Sequence, residues 1–334
     1  MNALRGWVLF TAVVVGASAS AEDYFVGSWN VENLFDTADD PEVEGDEEFT
    51  PDGDKAWTEQ RLERKLRNLT TIIVKFNGGK GPDILGLGEV ENRKVIQALI
   101  ARLPLPDRDY KIVHKESPSG RGIDCAFIYD AKKFTLVHEK FHEAPKLNTR
   151  DIVEAKFKAG DDALTVFMNH WPSRAHDKSQ RMQTGVILRK RIDQILKDDP
   201  AADIVVLGDL NDTPPDESVR DSLGSTKIAS EATNGVLFNT TAELHEAGKG
   251  TYVYDEKWEA IDQLLVSPGL LDSKGFRWKT GSTAAQQVIP EQMFVPNDKK
   301  RIPRPNRTYT GDNYHATGYS DHLPIGAVIE RGAR

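Results

Sequence analysis

Residues 203–212 read DIVVLGDLND, a β-branched apolar run that stops at Gly208 and is followed at once by Asp209 and Asn211. A carboxylate and a carboxamide two residues apart can hold a water, a phosphoryl oxygen or a hard cation between them. With Pro214 and Pro215 directly behind, the same stretch also fits a plain turn. Recurrence separates the two readings. Asn30 closes the run that begins at Tyr24, Glu89 closes DILGLGE, His170 closes the run in NHWPSR, and Asp321 with His322 stands just before the last run. Asp262 lies inside the run Ile261–Val266, where a lone carboxylate is costly unless paired. Each residue alone fits a turn or a cap, but their joint placement at strand ends is harder to explain that way.

Acids, amides and two histidines without a cysteine point to hydrolysis assisted by a hard cation, Mg²⁺ or Mn²⁺ with Ca²⁺ as a further choice, and away from a soft thiolate site. Phosphate ester hydrolysis needs an attacking water, positive charge on the phosphoryl oxygens and a way to neutralise the leaving oxygen. These residue types supply all three. Pairing Asp262 with His322 would fix the imidazole tautomer and raise its basicity. Arg121 in RGID and Arg174 in HWPSR offer guanidinium forks that match phosphate oxygens, and each reads equally well as an ordinary surface arginine. Glu116 is a loosely spaced partner for His170.

The elements that must position these residues follow from periodicity. Tyr24–Trp29 reads as a first strand, and residues 58–76 as an amphipathic helix with Thr58 as N-cap and Leu62, Leu66, Leu69, Ile72, Ile73 and Phe76 on one face. A buried strand ends on Glu89, a helix follows near 94–102, and strands are expected near 110–113, 123–129, 152–157 and 164–169. Ser179–Leu196 is a second amphipathic helix before the strand at 204–207. Residues 39–54 are crowded with acids and read as a solvated surface insertion, a calcium loop being the less favoured alternative because the spacing matches no EF-hand. Residues 220–258 are weakly patterned, and 271–312 read as a long polar loop with a basic cluster of Lys299, Lys300, Arg301, Arg304 and Arg307.

The chain has 334 residues, a formal charge of −9 and one cysteine, Cys125, in the apolar run CAFIY. No internal disulfide can form, and Cys125 reads as an inert core thiol. Arg5, the uncharged stretch 7–17 and Ala19-Ser20-Ala21 make residues 1–21 a secretory signal peptide, leaving 22–334 as one exported, periplasmic or secreted domain. The stretch is short of the roughly 20 apolar residues that span a membrane, and no other uncharged run approaches that length. The acidic balance argues against broad attraction to nucleic acid without excluding a basic site locally.

In order, WNVENLF, DILGLGEVEN, RGIDCAFIYD, NHWPSR, VVLGDLND, AIDQLLVS and GYSDHLPI resemble the endonuclease/exonuclease/phosphatase superfamily, over residues 24–329. That group includes pancreatic-type deoxyribonucleases, apurinic endonucleases, inositol polyphosphate 5-phosphatases and bacterial sphingomyelinases. The resemblance implies an α/β fold, a four-layered α/β sandwich of two mixed β-sheets packed face to face with helices outside. It also implies a metal site with Glu89 as main ligand, Asn30 beside it and Asp321 contributing. By the same resemblance Asp209 and Asn211 orient the attacking water and contact the phosphoryl group. His322, held by Asp262, polarises the phosphate or acts as base, and His170 binds the phosphate or assists the leaving group. The chain departs from the pancreatic pattern in lacking a cysteine pair, and from many relatives in carrying Gly88 before the metal-ligand glutamate. The expectation is an exported metal-dependent phosphodiesterase, a nuclease acting on DNA or RNA along the basic cluster. A small or lipid-borne phosphate ester is the second substrate reading, a noncatalytic binding module the third, and no protein partner is evident.

Overall fold

The computed structural model describes residues 22–41, 43, 45–283, 293–294 and 302–332. The expected signal peptide, and Lys299, Lys300 and Arg301 of the basic cluster, lie outside the described residues. In chain order the elements are β1 (Glu22–Leu34), α1 (Glu59–Ile73), the single turn α2 (Phe76–Gly79), β2 (Ile84–Val90), α3 (Arg93–Ile100), β3 (Tyr110–His114), β4 (Asp124–Asp130), β5 (Thr135–His142), β6 (Ile152–Ala159), β7 (Asp162–His170), α4 (Lys178–Asp198) and β8 (Asp203–Asp209). Then come β9 (Ser225–Thr226), β10 (Leu237–Asn239), α5 (Ala242–Glu246), β11 (Tyr252–Tyr254), β12 (Lys257–Glu259), β13 (Asp262–Val266), β14 (Phe276–Trp278), β15 (Tyr309–Thr310), β16 (Asn313–Tyr314) and β17 (Ile325–Arg331).

Two mixed sheets form the interior, one ordered β14-β17-β1-β2-β4-β3 and the other β5-β6-β7-β8-β13-β10-β9. The central pairs β1/β2 and β7/β8 are parallel and most neighbours antiparallel. Strand alternation explains how apolar runs without polar interruption fit here, because both faces of each strand are covered. Val205 and Leu207 point into the core between the sheets with Phe127, Phe157, Met168 and Leu264. Ile204 and Val206 point the other way, onto Leu188 and Ile192 of α4. Similarly Leu85 and Leu87 pack under Leu66, Leu69, Ile96 and Leu99 of α1 and α3. The expected four layers are thus present. At Gly86 the sheets approach tightly: a Cβ there would lie 2.5 Å from Met168 Sδ. Cys125 is a buried free thiol, as expected, and burial pushes its pKa up. Among the described residues no helix is long and apolar enough to cross a membrane.

Three segments differ from expectation. Strand β5 was not foreseen, because TLVHEKFH is mostly exposed at a sheet edge and has no apolar face to give a period. The acidic segment after β1 is anchored, not merely solvated: Phe49 is buried and stacks on Phe35 with centroids 4.2 Å apart, beside Trp57. The segment 271–312 contributes β14 and β15 in place of an uninterrupted loop.

Glu154, on β6, joins β5 to α4. It accepts Arg191 Nε and Nη2 at 2.7 Å each and lies 2.6 Å from His142 Nε2. Burial alone would raise its pKa, but the hydrogen bonds from Arg191 and His142 outweigh that and bring it from 4.5 to about 2. A depressed carboxyl stabilises the fold fully above its unfolded pKa and loses that contribution as pH falls through the folded one. Glu154→Gln is therefore expected to cost about 2–3 kcal/mol in urea unfolding at pH 7. The gap between the two proteins should shrink as pH drops from about 4.5 towards 2; a gap independent of pH would show that the clamp is not ionic.

Candidate active site

The ends of β1, β2, β7 and β8, the start of β13 and the turn before β17 meet at one edge of the sandwich. Across the second sheet, His170 on β7 pairs in register with Asp209 on β8, and Asp209 with Asp262 on β13. Three ionisable residues therefore stand side by side in one row. Asp262 is the first residue of its strand, not an interior one. From the other sheet come Asn30 and Glu89, and both strands are distorted at these positions. The β1/β2 register shifts after Asn30, with Glu32 at φ 53° and Asn33 at φ 51°, and Glu89 itself has φ 62°. Such left-handed residues cost energy in an L-amino acid chain and are tolerated where surrounding contacts over-determine them. Here they turn the Asn33 amide onto Glu89 Oε2 at 3.0 Å and carry the Glu89 carboxylate inward.

Asn30 Nδ2 bridges the sheets, donating to Glu89 Oε1 at 3.3 Å and to Asp209 Oδ2 at 3.1 Å. His170 Nε2 lies 3.8 Å from Glu89 Oε1 and 3.6 Å from Asp209 Oδ2, and His322 Nε2 lies 3.7 Å from that same Asp209 oxygen. On its far side His322 Nδ1 is 2.7 Å from Asp262 Oδ2, which also accepts the Thr251 hydroxyl at 2.5 Å. The Tyr252 ring covers the imidazole, centroids 4.8 Å apart. The sequence pairing of Asp262 with His322 is thus present in the geometry.

The remaining sequence candidates divide. Asn211 buttresses the site: its backbone N–H donates to Asp209 Oδ1 and its side-chain nitrogen to Trp171 O, each at 2.9 Å. Asp321 stands at the rim, 4.0 Å from His322 Nε2 and ion-paired with Arg307 at 2.8 Å. Arg121 reaches Glu89 at 3.6 Å and donates to Asn33 Oδ1 at 2.7 Å. Arg174 is not in the cluster; it pairs with Glu259 and lies over the Tyr254 ring. Glu116 is held with His114 and Asp124 and not with His170, whose Nδ1 has no partner among the described residues. Of the basic cluster, Arg304 is bound to Glu256 and Arg307 to Asp321 and Glu32, so neither is a free cation.

Arg150 was missed. It is buried, donates from Nη2 to Trp171 O at 2.8 Å, leaves Nε unpartnered and makes no ion pair among the described residues. Its position just before β6 hid it, since the local signal of this site is a polar residue that follows an apolar run, and Arg150 precedes one. Yet β6 runs antiparallel to β7, so the start of one lies beside the end of the other.

Charge is distributed unevenly. Burial pushes the Glu89 carboxyl up, but Arg121, His322, Arg150 and the Asn33 amide together bring it below the usual range, so it is ionised. Asp209 is pushed up to about 7 by burial and by Asp262, against the pull of His322. His322 resists its own burial because Asp262 and Asp209 hold it well above the usual imidazole value. His170 is held well below it by burial and by Arg150, Arg121 and His322. The two imidazoles are thus driven apart, His322 towards the cation and His170 towards the neutral form.

The donor chemistry fits a hard divalent cation. Glu89, Asp209 and Asp321 offer carboxylate oxygens beside the Asn30 carboxamide, and the only thiol is kept protonated by burial.

Residues 25–331 match the sequence model of the Endonuclease/Exonuclease/phosphatase family. Protein angel of Drosophila melanogaster is 24% identical over 289 residues, covering 80% of this chain and 72% of its own. An endonuclease/exonuclease/phosphatase family protein from Bacteroides thetaiotaomicron superposes with a TM-score of 0.54 at 17% identity, over 94% of this chain and 100% of its own. TDP2 of D. rerio, solved with a single strand DNA product, gives 0.56 at 14% identity, over 92% and 98%. With the match running through nearly every described strand, the chain belongs to the endonuclease/exonuclease/phosphatase family, and is a metal-dependent hydrolase of phosphate esters.

Proposed function

We propose that the protein is an exported nuclease that hydrolyses phosphodiester bonds of DNA or RNA. The observation that carries the nucleic-acid reading is the β11–β12 hairpin beside the catalytic histidine. Its Tyr252 covers His322, while Tyr254 is 60% exposed with the Arg174 guanidinium 5.1 Å from its ring centroid. Aromatic faces interleaved with arginine beside a phosphoesterase site suit stacked bases and their backbone. A groove of about 310 Å³ lined by Tyr252, Arg304, Asn306, Arg307, His315 and Asp321 continues from it. The single strand DNA product held by D. rerio TDP2 supports the same reading.

In this mechanism Glu89, with Asn30 and Asp321, would hold the divalent cation, which supplies positive charge to the phosphoryl oxygens. Asp209 accepts the proton of the attacking water as the new phosphorus–oxygen bond forms, with Asn211 holding its carboxylate in place. His322, fixed through Nδ1 by Asp262, presents a charged donor at Nε2 to a phosphoryl oxygen. Arg150 adds a buried charge behind that oxygen, and neutral His170 hydrogen-bonds the phosphoryl group as the ester bond breaks and the leaving oxygen takes a proton from solvent water. Arg121 stands at the mouth. Export rests on the signal pattern at residues 1–21, and N-terminal sequencing of the exported protein should read from Glu22.

The purified protein should degrade plasmid DNA or RNA with Mg²⁺ or Mn²⁺ and stop with EDTA. Turnover of inositol phosphates or sphingomyelin with nucleic acid untouched would replace this substrate reading with the small-ester one. Glu89→Gln should fold normally and lower activity at least about 10²-fold; unchanged activity would remove it from the site. His322→Ala should cost about 10²–10⁴-fold in rate, whereas a twofold loss would rule out its donor role. Tyr254→Ala should weaken kcat/KM for a single strand roughly 5- to 100-fold while sparing a small diester, since base stacking contributes about 1–3 kcal/mol.

A further inference from the structure

A second group of ligating side chains converges on the neighbouring strands, outside the catalytic cluster. His114 ends β3 and Asp124 opens β4. His114 Nε2 lies 3.1 Å from Asp124 Oδ2, and Asp124 Oδ1 accepts the Ser117 backbone N–H at 2.9 Å together with the Ser117 hydroxyl. These two side chains are only 2% and 3% exposed, so they form a fixed wall. Glu116, exposed on the loop between them, turns its carboxyl onto the same Asp124 and completes a set of one nitrogen and two oxygens within 4.8 Å of one another.

Other buried carboxyls stand around this cluster. Asp151 Oδ1 and Asp46 Oδ1 belong to buried residues and have no hydrogen-bond partner among the described residues. Asp151 lies within electrostatic reach of Asp124, and Asp46 and Glu116 both act on buried Glu91, whose carboxyl is pushed up to about 8 chiefly by burial. Burial and Asp124 likewise push Glu116 up to about 7. The buried carboxyls among these, Asp46, Glu91, Asp124 and Asp151, are stabilised by a nearby cation. The Lys115 ammonium is engaged by Asp151 and Glu143 at 3.2 and 3.3 Å.

We propose that His114, Glu116 and Asp124 bind a second divalent ion, of the borderline class that accepts an imidazole and two carboxylates, such as Zn²⁺ or Mn²⁺. The ion sits between the three converging side chains and pins the loop 115–123. That loop carries Arg121, the guanidinium that touches Glu89. The site is structural, and its existence does not depend on which phosphate ester the enzyme hydrolyses.

Equilibrium dialysis of EDTA-stripped protein against Zn²⁺, and separately Mn²⁺, with metal counted by atomic emission, tests the site without any activity assay. Glu116→Gln changes an exposed side chain and leaves the fold intact; it should raise the Kd of one ion at least about tenfold. His114→Gln should do the same, and Glu89→Gln should leave that ion bound. The proposal fails if Glu116→Gln and His114→Gln both bind as the wild type does. It fails equally if the wild type binds no ion beyond what Glu89→Gln abolishes.

Discussion

One carboxylate oxygen, Asp209 Oδ2, is the point on which the site depends. Within 3.1–3.7 Å of it stand the Asn30 amide, His170 Nε2 and His322 Nε2, drawn from both sheets and from the turn before the last strand. A buried carboxylate surrounded by a second acid is unstable unless something nearby carries positive charge. Here that charge is His322, and Asp262 keeps it there. The pair ties β13 in one sheet to the turn that enters β17 in the other, so the same bond that sets the imidazole's charge also fixes how the sheet edges meet.

The fold makes this affordable by covering both faces of the central strands. Val205 and Leu207 anchor β8 between the sheets while Ile204 and Val206 anchor it under α4, so its last residue has little freedom. Gly208 allows the close passage beside β7, since a Cβ would meet Asn169 O at 2.1 Å. With three neighbouring strands in register, His170, Asp209 and Asp262 arrive as a row. The departures from ideal strand geometry lie on the other side, at Glu32, Asn33 and Glu89. Strain is concentrated where a carboxylate must be aimed, and the rigid core holds it there.

Much of this was legible in the sequence because the signals were physical. Uninterrupted β-branched runs identify strands covered on both faces, and polar residues at their ends mark one edge of the sheets; Asn30, Glu89, His170 and Asp209 stand out that way, His322 as lying just before a run, and Asp262 as a carboxylate inside a run that needs a partner. What the sequence hid was pairing. Arg307 looked like a free phosphate contact until it met Asp321 and Glu32, and Arg174 until it met Glu259 and Tyr254. Arg150 and β5 were silent for opposite reasons: one is a buried charge at a strand start, the other an exposed edge without a hydrophobic period. Side-chain partners across hundreds of residues leave no local trace.

The claim that Asp262 and Asp209 hold His322 as a cation is open to direct measurement by ¹⁵N NMR of the imidazole in metal-free protein across the neutral pH range. Both nitrogens should carry protons at pH 7 in the wild type, and Asp262→Asn should shift the titration to lower pH. A His322 already neutral at pH 7, or one whose titration Asp262→Asn leaves unmoved, would contradict the account.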